Sequence, residues 1–210
     1  MVKALSTMLP LGTELPFFEL PVISGTGLRD EVHHGKIALL KTSTFHEKPL
    51  LIMILCAHCP FVKHVETQLT KLDQDYLDKV DFLAVASNSL ITHPQDSPDN
   101  LRSQSLQAGW RFPYVLDSDQ SFAKAIRAAC TPDFFLFSPN VNGVQELRYR
   151  GQLDDSRPGN KVPLDGRDLR LALNSVLKNE KVFSEQKPSI GCNIKWDPNN
   201  EPSWFGSIDG

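Results

Sequence analysis

Two cysteines separated by two residues, Cys56-Ala57-His58-Cys59, are the side chains of this chain best placed to do chemistry. A CxxC pair can hold two electrons as a disulfide and release them as two thiols. One thiol attacks a disulfide or another electrophile, and the second then attacks the mixed disulfide and frees the product. The pair follows an apolar run, Pro49 to Cys56, and precedes Pro60, a residue that favours a helix start. Cys56 is therefore expected where the free N–H groups and dipole of a helix N-terminus stabilise a thiolate. Cys59 is expected in the first turn of that helix. His58 adds a polarisable, sometimes cationic neighbour that lowers the Cys56 pKa further and makes the pair more oxidising. Lys63 and His64, one turn on, add weak positive potential.

Spacing by itself is only suggestive, because four cysteines (Cys56, Cys59, Cys130 and Cys192) make six pairs. Two other readings stand beside the redox one. The pair could be plain buried cysteines, or Cys56 and Cys59 could bind a metal or iron–sulfur cluster with one or both of Cys130 and Cys192. The absence of a second CxxC or CxxH weighs against metal, and no metal or cofactor is expected. A second feature is Cys130-Thr131-Pro132-Asp133, just before an apolar strand. Proline at a strand start is a candidate cis bond, although a plain loop proline is the commoner case.

The elements around these residues read as a mixed α/β layout. Residues 15–40 carry Pro16, Pro21 and Gly-containing turns at Ser24 to Gly27 and at Gly35, and form a hairpin-like prelude. Ile37 to Leu40 and Leu50 to Leu55 are strand-like, joined by the polar stretch Lys41 to Lys48. Phe61, Val62, Val65, Leu69, Leu72 and Tyr76 fall at helical spacing. Val80 to Ala86 is a buried strand and Asn88 to Asp96 a loop. Ser97-Pro98 starts a helix running to about Gly109. Phe112 to Leu116 is a strand, and Asp117 to Asp119 cap a helix to about Ala128. Strands Asp133 to Phe137 and Gln145 to Arg150 flank a turn at Pro139 to Gly143. Asp165 to Lys178 is an amphipathic helix. The order β–β–α–β–α–β–α–β–β–α places the CxxC at the carboxyl end of a strand, where open α/β sheets hold their sites. One domain over residues 1–210 is expected, with a core of about 15–180 and an extended, partly packed tail of about 181–210.

Composition narrows the function classes. The net charge is -3 with pI about 6.1, and Lys and Arg form no stripe, so neither nucleic acid nor an anionic membrane is an expected partner. The longest apolar run is strand length, far short of a bilayer span. Pro10 and Gly12 interrupt the N-terminus early, so it does not read as a secretory leader. A reducing, cytoplasmic setting is expected, where a structural disulfide framework is a poor explanation for four cysteines.

Four segments together resemble the redoxin branch of the thioredoxin-like superfamily, related to alkyl hydroperoxide reductase/thiol-specific antioxidant proteins. They are residues 56–64 (CAHCPFVKH), 130–135 (CTPDFF), 149–158 (YRGQLDDSRP) and 189–196 (SIGCNIKW). The first resembles the CxHCP-type segment of bacterial redoxins, and the likeness spans roughly residues 15–200. It implies a thioredoxin fold, with a central mixed β-sheet flanked by helices, an N-terminal β-hairpin extension and a C-terminal tail. It also implies Cys56 as attacking and Cys59 as resolving thiol. Pro132 would be cis beside them, and the Thr131 backbone would pair with substrate chains. Gly151 would end a neighbouring strand. The loop Gln152 to Gly159 would then bring Asp154, Asp155 and Arg157 near the site, unless these form only a turn and salt-bridge cluster. Peroxidases of the superfamily usually carry Thr or Ser three residues before the attacking cysteine, where this chain has Met53. Disulfide exchange is thus favoured over thiol peroxidase activity. The expected partners are a protein or small-molecule disulfide and a cellular thiol reductant. Cys130 is a candidate gate or spare thiol. Cys192 is either a third redox thiol or simply buried, with burial favoured.

Overall fold

The structure, a computed structural model, describes residues 2–25 and 38–205. The expected turn residues Gly27 and Gly35, the strand start at Ile37 and residues 206–210 lie outside them.

The central element is β4 (Leu50–Ile54), in which every residue is buried. A strand buried on both faces needs an unbroken apolar run, and LLIMI supplies one. Because side chains alternate along a strand, Leu51 and Met53 enter one core while Leu50, Ile52 and Ile54 enter the other. β4 runs parallel to β5 (Asp81–Ala86), which runs parallel to β6 (Tyr114–Leu116). On its other edge β4 is antiparallel to β8 (Asp133–Pro139), which pairs antiparallel with β9 (Gln145–Gly151). The prelude strands β2 (Glu19–Ser24) and β3 (Leu39–Lys41) are antiparallel and extend the same sheet through β6. The seven-stranded order is β3-β2-β6-β5-β4-β8-β9.

Among the described residues four α-helices flank this mixed sheet. In α1 (Pro60–Asp75), Phe61, Val62, Val65, Leu69 and Leu72 are buried, so the 3.6-residue period lays one stripe on the core. α2 (Pro98–Ala108) begins at Ser97, whose hydroxyl accepts the Asn100 N–H, and ends at Gly109 with φ of 70°. α3 (Ser121–Ala125) is anchored by Asp117, whose carboxylate accepts the N–H groups of Phe122 and Ala123. α4 (Arg167–Leu177) buries Leu169, Ala172, Leu173 and Val176. Among the described residues no helix is long and apolar enough to cross a membrane.

The tail is extended and partly packed, as expected, and its packed part is a strand. Beyond α4 the chain returns to form β10 (Ile190–Asn193), the middle strand of a separate three-stranded sheet with β1 (Lys3–Leu5) and β7 (Cys130–Thr131). Cys192 pairs with Lys3 on one side and Thr131 on the other. A strand of four residues holding a glycine offers no readable alternation, and its partners lie far away in sequence. Cys192, Ile194 and Trp196 are buried. This part of the tail therefore belongs to the packed body.

Candidate functional site

The Cys56–Cys59 segment bridges the end of β4 and the start of α1. Cys59 is the N-cap of α1, in extended backbone, with Pro60 at the first helical position. It thus precedes the first turn rather than lying within it. Both cysteines are fully buried, and the four cysteines are free thiols.

The N–H groups expected to serve a Cys56 thiolate are already taken. Asp96, at the end of the loop before α2, accepts the Ala57 N–H at 2.8 Å and the His58 N–H at 3.3 Å through Oδ1. Its Oδ2 accepts from Asn88 Nδ2 at 2.8 Å and lies 2.8 Å from His58 Nδ1. Burial raises the Asp96 pKa, but the hydrogen bonds from His58 and Asn88 and the Ala57 N–H outweigh it, so the carboxyl sits below its ordinary range. The same hydrogen bond lifts His58 above ordinary imidazole, against the opposing effect of burial. The result is an ion pair over the CxxC, its imidazole stacked on His93 at 5.5 Å between ring centres. His58 is thus a partner of Asp96 first and a neighbour of the thiols second.

The thiol electrostatics differ from expectation as well. The hydrogen bond with Cys59, then burial, then the Asp96 charge push Cys56 well above a free thiol. Thr131 Oγ1, 3.4 Å from Cys56 Sγ, offsets part of this. Cys59 moves the other way. Hydrogen bonds from Cys192 and then Cys56 lower it against the cost of burial, and the Val62 N–H of the first helical turn adds to the pull. When protonated, Cys59 can donate to the Thr131 carbonyl at 3.2 Å. The helix N-terminus favours charge on Cys59 through the Val62 amide, a contribution that Cys56 lacks.

Thr131-Pro132 is cis and forms the opposing wall, as the resemblance implies. The Thr131 backbone is paired with Cys192 of β10, so the edge expected to receive a substrate chain is filled by the protein's own tail. Cys192 Sγ lies 2.7 Å from Cys59 Sγ. Cys130 turns away, its thiol 3.6 Å from the Pro132 carbonyl, and is raised by burial and by Asp133. Lys63 is spent on Glu66 at 2.9 Å on the exposed face of α1. His64 bonds Ser156 at 2.9 Å.

The loop after β9 borders the cis-proline, since Gln152, Ser156, Arg157 and Pro158 line one cavity with Pro132, and its charged residues also brace the loop itself. Asp154 accepts the N–H groups of Ser156, Asp165 and Gly166, which orients the start of α4. Asp155 pairs with Lys187 and Arg167, and Arg157 bonds Gln152 and the carbonyls of Asp154 and Ser156.

Ligand atoms of Cys56, His58 and Asp96 lie within 4.8 Å of one another, the arrangement here best able to hold a metal. Asp96, however, already accepts four hydrogen bonds, and a metal would have to displace His58 from it. Sequence reasoning missed Asp96 itself, Asn88, and Gln104, which donates to the Cys56 carbonyl at 3.1 Å. Asp96 stands before Ser97-Pro98 and reads as the last residue of a loop, so only the fold reveals its partners.

The redoxin family model matches residues 12–162. The chain belongs to the redoxin family. Among solved structures, this redoxin is 40% identical to an uncharacterized conserved protein from Geobacillus kaustophilus, over 94% of its own length and 98% of the other, with a TM-score of 0.84. A hypothetical protein from Sinorhizobium meliloti is 37% identical over 92% and 98%, with a TM-score of 0.81. A thiol-disulfide oxidoreductase from Bacteroides fragilis shares the fold at 15% identity, over 80% and 98%, with a TM-score of 0.54. No curated protein matches the sequence. The fold is the thioredoxin fold, with its central mixed sheet flanked by helices.

Proposed function

We propose that this redoxin is a thiol–disulfide oxidoreductase of the CxHCP type that cycles Cys56 and Cys59 between dithiol and disulfide. The observation that carries this reading is that both thiols, at the strand-to-helix junction, lie against Thr131 of the cis-proline turn: Cys56 Sγ is 3.4 Å from its Oγ1 and Cys59 Sγ 3.2 Å from its carbonyl oxygen. As the Cys56 sulfur attacks a disulfide RS–SR′, the bond to R′S breaks and the departing sulfur takes the Cys56 proton, leaving as R′SH. The Cys59 thiolate then attacks the Cys56 sulfur, expelling RS⁻ and closing the Cys56–Cys59 disulfide. A cellular thiol reductant reverses the closure. Protein or small-molecule disulfides are the substrates and the cytoplasm the setting, with no nucleic acid or membrane partner. Access to Cys56 requires the His58–Asp96 pair to open, because that sulfur has no exposed surface.

The reduced protein should reduce insulin disulfides faster than dithiothreitol alone, and Cys56→Ser should bring the rate down to the dithiothreitol background. Wild-type turnover at that background would overturn the proposal.

A second reading, thiol peroxidase, draws on one contact. Met53 is buried between Ala84 and Phe134 and offers no hydroxyl, but Thr131 Oγ1 presents one to Cys56. Stopped-flow oxidation of Cys56 by hydrogen peroxide at the rate of a free cysteine would dispose of it.

A further inference from the structure

Three of the four sulfurs form a chain with Cys59 in the middle. Cys59 Sγ lies against Cys192 Sγ, and Cys59 and Cys56 meet at Thr131. The Cys59 and Cys192 sulfurs are 2.7 Å apart. The placement of Cys192 is built in. Ser189 N–H donates to Ser6 Oγ at 2.9 Å and Ser189 Oγ donates to the Gly151 carbonyl at 2.6 Å, fixing the strand on one side of Cys192. Ile194 N–H bonds the Ala129 carbonyl and Lys195 N–H bonds Asn88, fixing it on the other. Between these anchors only a glycine fits at 191, since a Cβ there would sit 2.1 Å from the Thr131 carbonyl oxygen. That close approach brings the next residue, Cys192, onto Cys59.

We propose that Cys59 has two alternative disulfide partners, and that Cys192 takes over the disulfide from Cys56 by internal exchange. The proposal rests on the redox reading of Cys56–Cys59 given above. In the step, the Cys192 sulfur attacks Cys59 of the Cys56–Cys59 disulfide. The 59–192 bond forms, the 56–59 bond breaks, and the Cys56 sulfur leaves with the electron pair and takes the proton that Cys192 gives up. No net oxidation occurs, so no further oxidant is needed. The oxidised protein then carries its disulfide inside while Cys56 is again a free thiol. The exchange is gated by the redox state itself. In the reduced protein Cys192 is held protonated, first by its hydrogen bond to Cys59, then by burial and the Cys59 charge. Oxidation of Cys59 removes both of the Cys59 contributions.

The test is disulfide mapping of the full-length protein. Wild type and Cys56→Ser are oxidised with excess oxidised glutathione, alkylated with N-ethylmaleimide, and digested with trypsin without reduction. Pro49 and Pro188 protect Lys48 and Lys187, so Cys56 and Cys59 fall on peptide 42–63, Cys130 on 128–148 and Cys192 on 182–195. In Cys56→Ser the expected product is a covalent 42–63 to 182–195 pair, with the intact mass lower by two hydrogens. In wild type the same pair should appear with Cys56 alkylated. Recovery of Cys59 in Cys56→Ser only as free thiol or glutathione adduct would overturn the proposal. So would a link from peptide 128–148 to either of the others. Insulin reduction by the wild type separates the two ideas. Activity without the 59–192 link removes the internal exchange and leaves the proposed function. The link without activity removes the function.

Discussion

Cys56 and Cys59 are three residues apart, yet the two flanks of the site hold charge by different means. On the Cys56 flank, the loop before α2 brings in a buried carboxylate, and the ion pair of Asp96 with His58 absorbs the backbone N–H groups of the CxxC. On the Cys59 flank, no ion pair touches the sulfur. A thiolate there is held by S–H groups of Cys56 and Cys192 and by the Val62 amide. The first arrangement raises the thiol beside it and the second lowers one. A CxxC is therefore not one electrostatic environment, and the more acidic sulfur is the one that faces the helix and the third cysteine.

The comparison can be broken from either flank. The largest effect is expected beneath the sulfur flank, at Asp133, which burial lifts to about 7 and which accepts the Ser6 hydroxyl at 2.6 Å. From its ordinary 3.8 up to about 7, the folded state keeps a proton that the unfolded chain has lost, so stability falls as pH rises through that window. Asp133→Asn should flatten this slope and gain roughly 2–4 kcal/mol at pH 8 over wild type. Urea titrations of both proteins from pH 4 to 8 would show it, and parallel curves would refute it.

Next is Asp96→Asn, which removes the ion pair while keeping the shape. It should cost about 1.5–3 kcal/mol near neutral pH and lower the Cys56 pKa. The stabilisation it removes is bounded by both partners. It is full at and below the ordinary imidazole pKa and fades as pH rises through the raised His58 value. On the acid side it is lost progressively as pH falls from the ordinary carboxyl pKa through the depressed Asp96 value. Iodoacetamide rates against pH, read at Cys56 by peptide mapping, check the thiol shift. An unchanged profile would mean that Asp96 does not tune it.

Gly191→Ala should cost on the order of 1–3 kcal/mol, because the added Cβ meets backbone that cannot swing aside. It should also raise the Cys59 pKa as Cys192 is displaced, visible as slower Cys59 alkylation at pH 6. The smallest effect is expected at Lys63, on neither flank. Lys63→Ala should change stability by less than about 1 kcal/mol and leave both thiol profiles in place. A clear shift in either profile would extend the electrostatic site along α1.

The sequence is legible where the physics is local. The helical stripe of α1, Ser97 as a cap, the apolar run of β4 and the proline at the cysteine turn each state their role within a few residues. The site is less so, because its deciding contacts are distant: Asp96 to Ala57, Gln104 to the Cys56 carbonyl, Cys192 to Cys59. The choice set for Cys192, redox thiol or buried residue, was also not exclusive, since the sulfur is buried against another thiol. Lys63 reaches the site only at second hand: it bonds Glu66, whose carboxylate accepts from Gln104, the donor to the Cys56 carbonyl.

The three-stranded sheet seats residues 190–193 between residues 3–5 and β7, and this has a consequence for how the protein is made. Cys59 and Cys192 are 133 residues apart. At roughly 5–20 residues per second, a ribosome finishes the first of them about 7–27 s before the second. For that interval the nascent chain carries its CxxC without the sulfur that later covers it, and only the arrival of the tail completes the trio.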